Sequence, residues 1–77
     1  MKITLKIFGP ISEIIGSDQI TVKDMESTDQ LVRHLKELHP DLSGIKFTLA
    51  VDKKIIEENT LLADRSVVAL LPPFSGG

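Results

Sequence analysis

The most constraining stretch of the sequence is Val67-Val68-Ala69-Leu70-Leu71, five consecutive apolar residues halted by Pro72-Pro73. In a strand, successive side chains point to opposite faces. Val67, Ala69 and Leu71 therefore share one face, and Val68 and Leu70 the other. A strand apolar on both faces requires cover on both sides. The chain has 77 residues, enough for one domain. Only one long helix can be read in it, and one helix covers one face of a small sheet. The second face is either wrapped by loops or meets a partner.

The elements before this strand follow from periodicity. Residues 3–8 alternate, with Ile3, Leu5 and Ile7 on one face and Thr4, Lys6 and Phe8 on the other. This is the period of a half-buried strand, stopped by Gly9-Pro10. Residues 11–15 read as one or two helical turns, with Pro10 near the start and Gly16 at the end. β-Branched Ile20, Thr21 and Val22 mark a second strand over 19–23. The main helix follows. Ser27 and Gln30 fit the capping-box spacing, and Leu31, Leu35 and Leu38 form the apolar stripe, widened by Val32. Pro40 ends it and pushes His39 toward an extended conformation. Phe47, Leu49 and Val51 alternate with Thr48, Ala50 and Asp52 as a third strand. Asp52-Lys53-Lys54 turns into Ile55-Ile56, Leu61-Leu62 is a short apolar patch, and Asp64-Arg65-Ser66 turns into the last strand.

Composition excludes several function classes. Hydrophobic residues make up 42% of the chain, too many for a disordered one. There is no Cys, hence no disulfide, thiolate zinc site or cysteine nucleophile. Nine basic residues stand against 11 acidic ones, with only 3 Phe and no Trp or Tyr. That leaves no basic cluster and little for base stacking, so no nucleic-acid partner is expected. No apolar run is long enough to span a membrane, and the alternating N-terminus does not read as a secretory signal. A cytoplasmic location is expected.

The internal residues offer little catalysis. His34 and His39 are spaced by five on one helix, where a metal pair wants three or four. His34 lies at the edge of the leucine stripe and His39 at the helix end, so no metal site is expected. Adjacent Glu57 and Glu58, and adjacent Lys53 and Lys54, point apart in a turn or strand. No serine has an evident base, and no glycine-rich phosphate loop occurs.

The chemistry lies at the end. After a folded body over residues 1–71, Pro72-Pro73-Phe74-Ser75-Gly76-Gly77 reads as an extended, flexible tail. The two prolines stop sheet pairing and favour a polyproline-like exit. Phe74 is a lone large apolar residue there. Gly76 and Gly77 lack Cβ atoms, so their backbone fits a channel that excludes other residues. The Gly77 α-carboxylate is ionised at neutral pH and can attack the α-phosphate of an ATP held, with magnesium, by another protein. The acyl-adenylate formed is open to a nucleophile.

These residues resemble the ubiquitin-like β-grasp sulfur carriers of the molybdopterin-synthase small-subunit type. The resemblance covers essentially the whole chain. It runs through residues 6–16, 28–40 and Leu49-Ala50-Val51-Asp52, and is most specific from Asp64 to Gly77. It implies an α+β fold with a mixed sheet packed on one main helix. It implies that Gly77 is adenylated by an ATP-dependent activating enzyme and converted to a thiocarboxylate. The tail then inserts into the large subunit of molybdopterin synthase, in a complex of two small and two large chains. Sulfur passes there to cyclic pyranopterin monophosphate, and the large subunit supplies the catalytic side chains. Pro72, Pro73, Phe74, Ser75 and Gly76 become partner-binding residues, and the chain itself holds no cofactor. Two turns depart from the family pattern: Asp52 stands where Asn is frequent, and Ala63-Asp64-Arg65-Ser66 replaces an Asp-Gly-Asp-type turn. A thiamin-type carrier shares the fold and Gly-Gly end but usually lacks Pro-Pro-Phe. A ubiquitin-like modifier joined through Gly77 to a lysine, or a passive interaction module, are the other readings.

Overall fold

The computed structural model describes residues 1–72. The chain order is β1 (Lys2–Ile7), α1 (Pro10–Ile15), β2 (Gln19–Lys23), α2 (Thr28–Leu38), a short 3-10 helix (Pro40–Gly44), β3 (Thr48–Val51), β4 (Lys54–Ile56) and β5 (Val67–Leu71). The five strands form one sheet in the order β2-β1-β5-β3-β4. β1 pairs in parallel with β5, and all other pairs are antiparallel.

The doubly apolar strand is thus the central one. Its inner residues Val68 and Leu70 are fully buried. They share the inner face with Ile3, Leu5 and Ile7 of β1 and Val51 of β3, against Leu31 and Leu35 of α2 and Ile11 of α1. The sheet is mixed and rests on one main helix, as expected.

α2 begins where its cap is expected. The Ser27 side chain accepts a bond from the Gln30 amide at 3.3 Å. The Gln30 side chain reaches back one residue further than in a regular capping box, accepting from the Glu26 amide at 2.8 Å. The far end differs from expectation. Leu38, read as the third member of the stripe, is 58% exposed. The chain turns at Pro40 into the 3-10 helix, and Leu42 from that helix is fully buried in its place. Near Pro40 the core is thus closed by a residue that the helical period does not include.

Candidate functional site: the exit of the central strand and the open sheet face

β5 enters the sheet through a turn locked to β1. The Ser66 amide donates to the Ala63 carbonyl (3.1 Å) and the Arg65 amide to the Lys2 carbonyl (2.7 Å). The Ala63 amide donates to the Ser66 hydroxyl at 3.0 Å, and the Lys2 amide to the Asp64 carboxylate at 2.9 Å. Arg65 has φ 67°, the left-handed backbone that a type II turn places at its third residue and usually fills with glycine.

A second lock comes from the β3–β4 hairpin. Asp52 and Lys53 both have positive φ, 48° and 74°, as a two-residue type I′ turn demands. The Asp52 amide donates to the Val67 carbonyl at 2.8 Å. Its carboxylate accepts from the Val67 amide at 2.9 Å. Asp52 therefore clamps the start of β5. Asn offers the same acceptor and tolerates the left-handed region equally, so the departure from the family pattern conserves the geometry. Asp52→Ala loses the acceptor and strains the turn. It is expected to cost about 1–2 kcal/mol in urea denaturation, and Asp52→Asn well under 1 kcal/mol.

At the other end the strand leaves the sheet beside Gly9. The Phe8 amide donates to the Leu70 carbonyl at 3.1 Å. Gly9 has φ 63° and ψ −148°, a region essentially reserved for glycine. A Cβ built on Gly9 lies 3.5 Å from Cγ of Pro72, so the proline ring passes directly over this residue. The Gly9 carbonyl is itself held by the amide (3.1 Å) and hydroxyl (2.7 Å) of Ser12. Gly9→Ala is expected to destabilise the fold by about 1–3 kcal/mol, read as a lower urea midpoint at unchanged slope.

The outer sheet face is the remaining feature. Register places Ile55, Ala50, Ala69 and Lys6 in one row across four strands. Leu71 and Thr48 share a neighbouring row toward the exit, on the side of Phe8. Among the described residues no helix covers this face. Phe8 is 46% and Ile55 55% exposed, and Val67, Ala69 and Leu71 are half-buried. A hollow of about 300 Å³ lies here, lined by Phe8, Ala50, Val67 and Ala69 with Lys6, Asp52 and Lys53 at its rim. Among the described residues the outer face of β5 is therefore open, and no loop wraps it.

Of the residues singled out in sequence, Pro72 lies at the exit and is exposed. Pro73, Phe74, Ser75, Gly76 and Gly77 lie outside the described residues. His34 and His39 are half-buried, and the His39 amide closes α2 by donating to the Leu35 carbonyl at 2.8 Å. Among the described residues no group of three or more His, Cys, Asp or Glu is placed to hold a metal. No helix there is long and apolar enough to cross a membrane. Gly9 and Asp52 as positioning residues were not legible in sequence. The Gly-Pro and Asp-Lys-Lys steps mark turns, but not what those turns contact.

A mixed sheet with parallel first and last strands, one long helix across it, and a C-terminal strand leaving from the sheet centre define a ubiquitin-like β-grasp domain. More particularly, the chain belongs to the ThiS family, whose model matches residues 5–77. This places it among the ubiquitin-like sulfur carriers. A putative molybdopterin converting factor subunit 1 from Pyrococcus furiosus superposes with a TM-score of 0.87 at 20% identity, over 96% of this chain and 99% of that one. The small archaeal modifier protein 1 from Methanosarcina acetivorans gives 0.84 at 21% identity, over 99% and 96%. The complex of subunits 1 and 2 of molybdopterin-converting factor from Helicobacter pylori gives 0.71 at 28% identity, over all of both chains.

Proposed function

We propose that this chain is the sulfur-carrying small subunit of molybdopterin synthase. The observation that carries the reading is the placement of the Gly-Gly sequence. It ends a six-residue stretch, Pro72 to Gly77, that follows a strand leaving the centre of an open apolar sheet face. The face docks the large subunit and the tail enters its pocket. The similar Helicobacter pylori protein is known in complex with a subunit 2, which supports a partner of this kind. Six residues reach about 20 Å from the body, and Pro72 and Pro73 lower the entropy lost on ordering the tail. Phe74 anchors it, as buried aromatics do at interfaces.

The chemistry belongs to Gly77. Its carboxylate attacks the α-phosphate of ATP on an activating enzyme that also supplies magnesium, and pyrophosphate leaves. Sulfide from a donor then displaces AMP, leaving a C-terminal thiocarboxylate. In the large subunit that sulfur passes to cyclic pyranopterin monophosphate, and water restores the carboxylate. The chain binds no cofactor of its own. Its residues present the end, orient it and seal the interface.

The test is the mass of the intact protein after incubation with its activating enzyme, ATP and a sulfur source. One terminal oxygen is expected to be replaced by sulfur. Oxidation of Met1 or Met25 gives nearly the same shift, so a thiocarboxylate-selective trap localises the change to Gly77. Trapped protein is then expected to convert cyclic pyranopterin monophosphate when mixed with the large subunit. No trapped product, with an enzyme competent on a control carrier, overturns the reading. The similarity to a small archaeal modifier protein supports a second reading, conjugation through Gly77. Gly-Gly remnants on lysines of other proteins are its signature.

A further inference from the structure

We infer that the groove between the start of α2 and the β3–β4 hairpin is a second docking site, for an extended polypeptide segment that carries an apolar side chain flanked by basic residues. The groove has a volume of about 590 Å³. It is separate from the outer-face hollow, sharing no lining residue with it. Its apolar wall is Phe47, Leu49 and Ile56, all half-buried and packed against the core. These side chains are where the core reaches the surface between helix and sheet.

The rim sets the sign of the occupant. Asp29, Glu57 and Glu58 line the groove and no Lys, Arg or His does. Among the described residues the only ion pair within 4.0 Å joins the Met1 amino group to Asp24, so these three carboxylates have no cationic partner at that range. The outer-face hollow has the opposite character, with Lys6 and Lys53 beside a carboxylate already bonded to the Val67 amide. The two surfaces suit partners of different charge.

The N-terminus of α2 opens here too, yet it is not an anion site. The first four amides of the helix are satisfied internally. Thr28 donates to the Thr60 carbonyl (2.9 Å) and Leu31 to that of Ser27 (3.0 Å). Asp29 donates to the Asn59 side chain at 2.9 Å, and Gln30 to that of Ser27 at 3.3 Å. With its donors occupied and carboxylates around it, the groove repels anions and attracts cations.

Backbone geometry fixes the occupant's form. β4 is the edge of the sheet. In a two-residue hairpin the residues flanking the turn form a hydrogen-bonded pair, here Val51 and Lys54, and the pairing then alternates. Ile55, opposite Ala50, is the non-bonded position. Its amide and carbonyl point outward from the sheet edge. An extended segment can pair there while one side chain enters the groove, as in strand addition. Flanking lysines or arginines then meet Glu57 and Glu58.

The inference is independent of the sulfur-carrier reading, and its test uses no activating enzyme. The full chain, labelled with 15N, is titrated with a capped peptide alternating arginine and valine, and with the same peptide carrying glutamate for arginine. Amide shifts are expected at residues 28–29, 47–49 and 55–59, with slowed exchange of the Ile55 amide. Affinity should fall with rising salt. The double variant Glu57→Lys, Glu58→Lys alters exposed side chains only, and should weaken binding by about tenfold or more. Equal binding of the glutamate peptide, shifts centred on Phe8 and Ala69 instead, or no shift with peptide in the millimolar range would overturn it.

Discussion

Deleting Gly77 is expected to abolish thiocarboxylate formation while leaving the fold as stable as before. The truncated chain still ends in an ionised glycine carboxylate, so the functional group is unchanged. What changes is its position, by about 3.5 Å along an extended chain. Displacement by even about 1 Å from an attack distance costs on the order of a hundredfold, and adenylation requires the carboxylate oxygen at the α-phosphate. The loss should therefore be complete within the sensitivity of intact-mass detection. Stability is untouched because β5 ends at Leu71, six residues before the deletion. The thermal midpoint checks that half of the expectation, and the trap on incubated protein checks the other. A truncated chain with normal function would identify the tail as passive. Gly77→Ala keeps the length and adds one Cβ. It should impair activation without changing where the carboxylate ends, which separates channel width from reach.

The parts of this molecule that were legible in sequence are those set by local periodicity. β1 follows from alternation, β2 from its β-branched run, β5 from its unbroken apolar run and the cap of α2 from the Ser27–Gln30 spacing, because one residue's neighbours decide each of them. The stripe predicts Leu38 in the core, yet Leu38 is exposed, because a helical period carries no record of where the helix stops being covered. Pro40 redirects the chain, and Leu42 arrives from a different element. The left-handed residues Asp52 and Arg65 were not visible either. Each lies in a turn whose hydrogen bonds go to a strand distant in sequence, Asp52 to Val67 and Arg65 to Lys2. Long-range bonds of this kind stabilise a backbone that neither residue prefers. The outer face was half legible. The apolarity of Val67, Ala69 and Leu71 announced a surface needing cover, but its continuation through Ala50, Phe8 and Ile55 depends on strand order. The proposed role of Gly77 rests on the sequence Pro72-Pro73-Phe74-Ser75-Gly76-Gly77 after the last strand and on its family resemblance, and Pro73 to Gly77 lie outside the described residues.

Adjacent residues of β5 should separate folding from docking. Leu70 points inward and is fully buried. Leu70→Ala removes that contact and leaves a cavity, at a cost of about 2–5 kcal/mol. A domain of this size holds on the order of 4–12 kcal/mol in total, so the thermal midpoint should fall by roughly 10–30 °C. Ala69, one residue earlier, points outward and pairs with Lys6 of β1. Ala69→Glu places a carboxylate opposite that lysine, a favourable cross-strand pair, on a face that water already reaches. Its effect on stability should stay within about 1 kcal/mol. Its effect on docking should be large. If the large subunit covers this face, the new charge is desolvated against an apolar surface, and the Kd should rise about a hundredfold or more. Calorimetric titration against the large subunit measures the second quantity, and thermal denaturation the first. Unchanged affinity in Ala69→Glu would remove the outer face from the interface and leave the tail to carry recognition alone. A loss of stability matching that of Leu70→Ala would mean that the face is already covered within the free chain. The opposite responses of two neighbouring side chains follow from the position of β5 at the sheet centre, which among the described residues is buried on one side and open on the other.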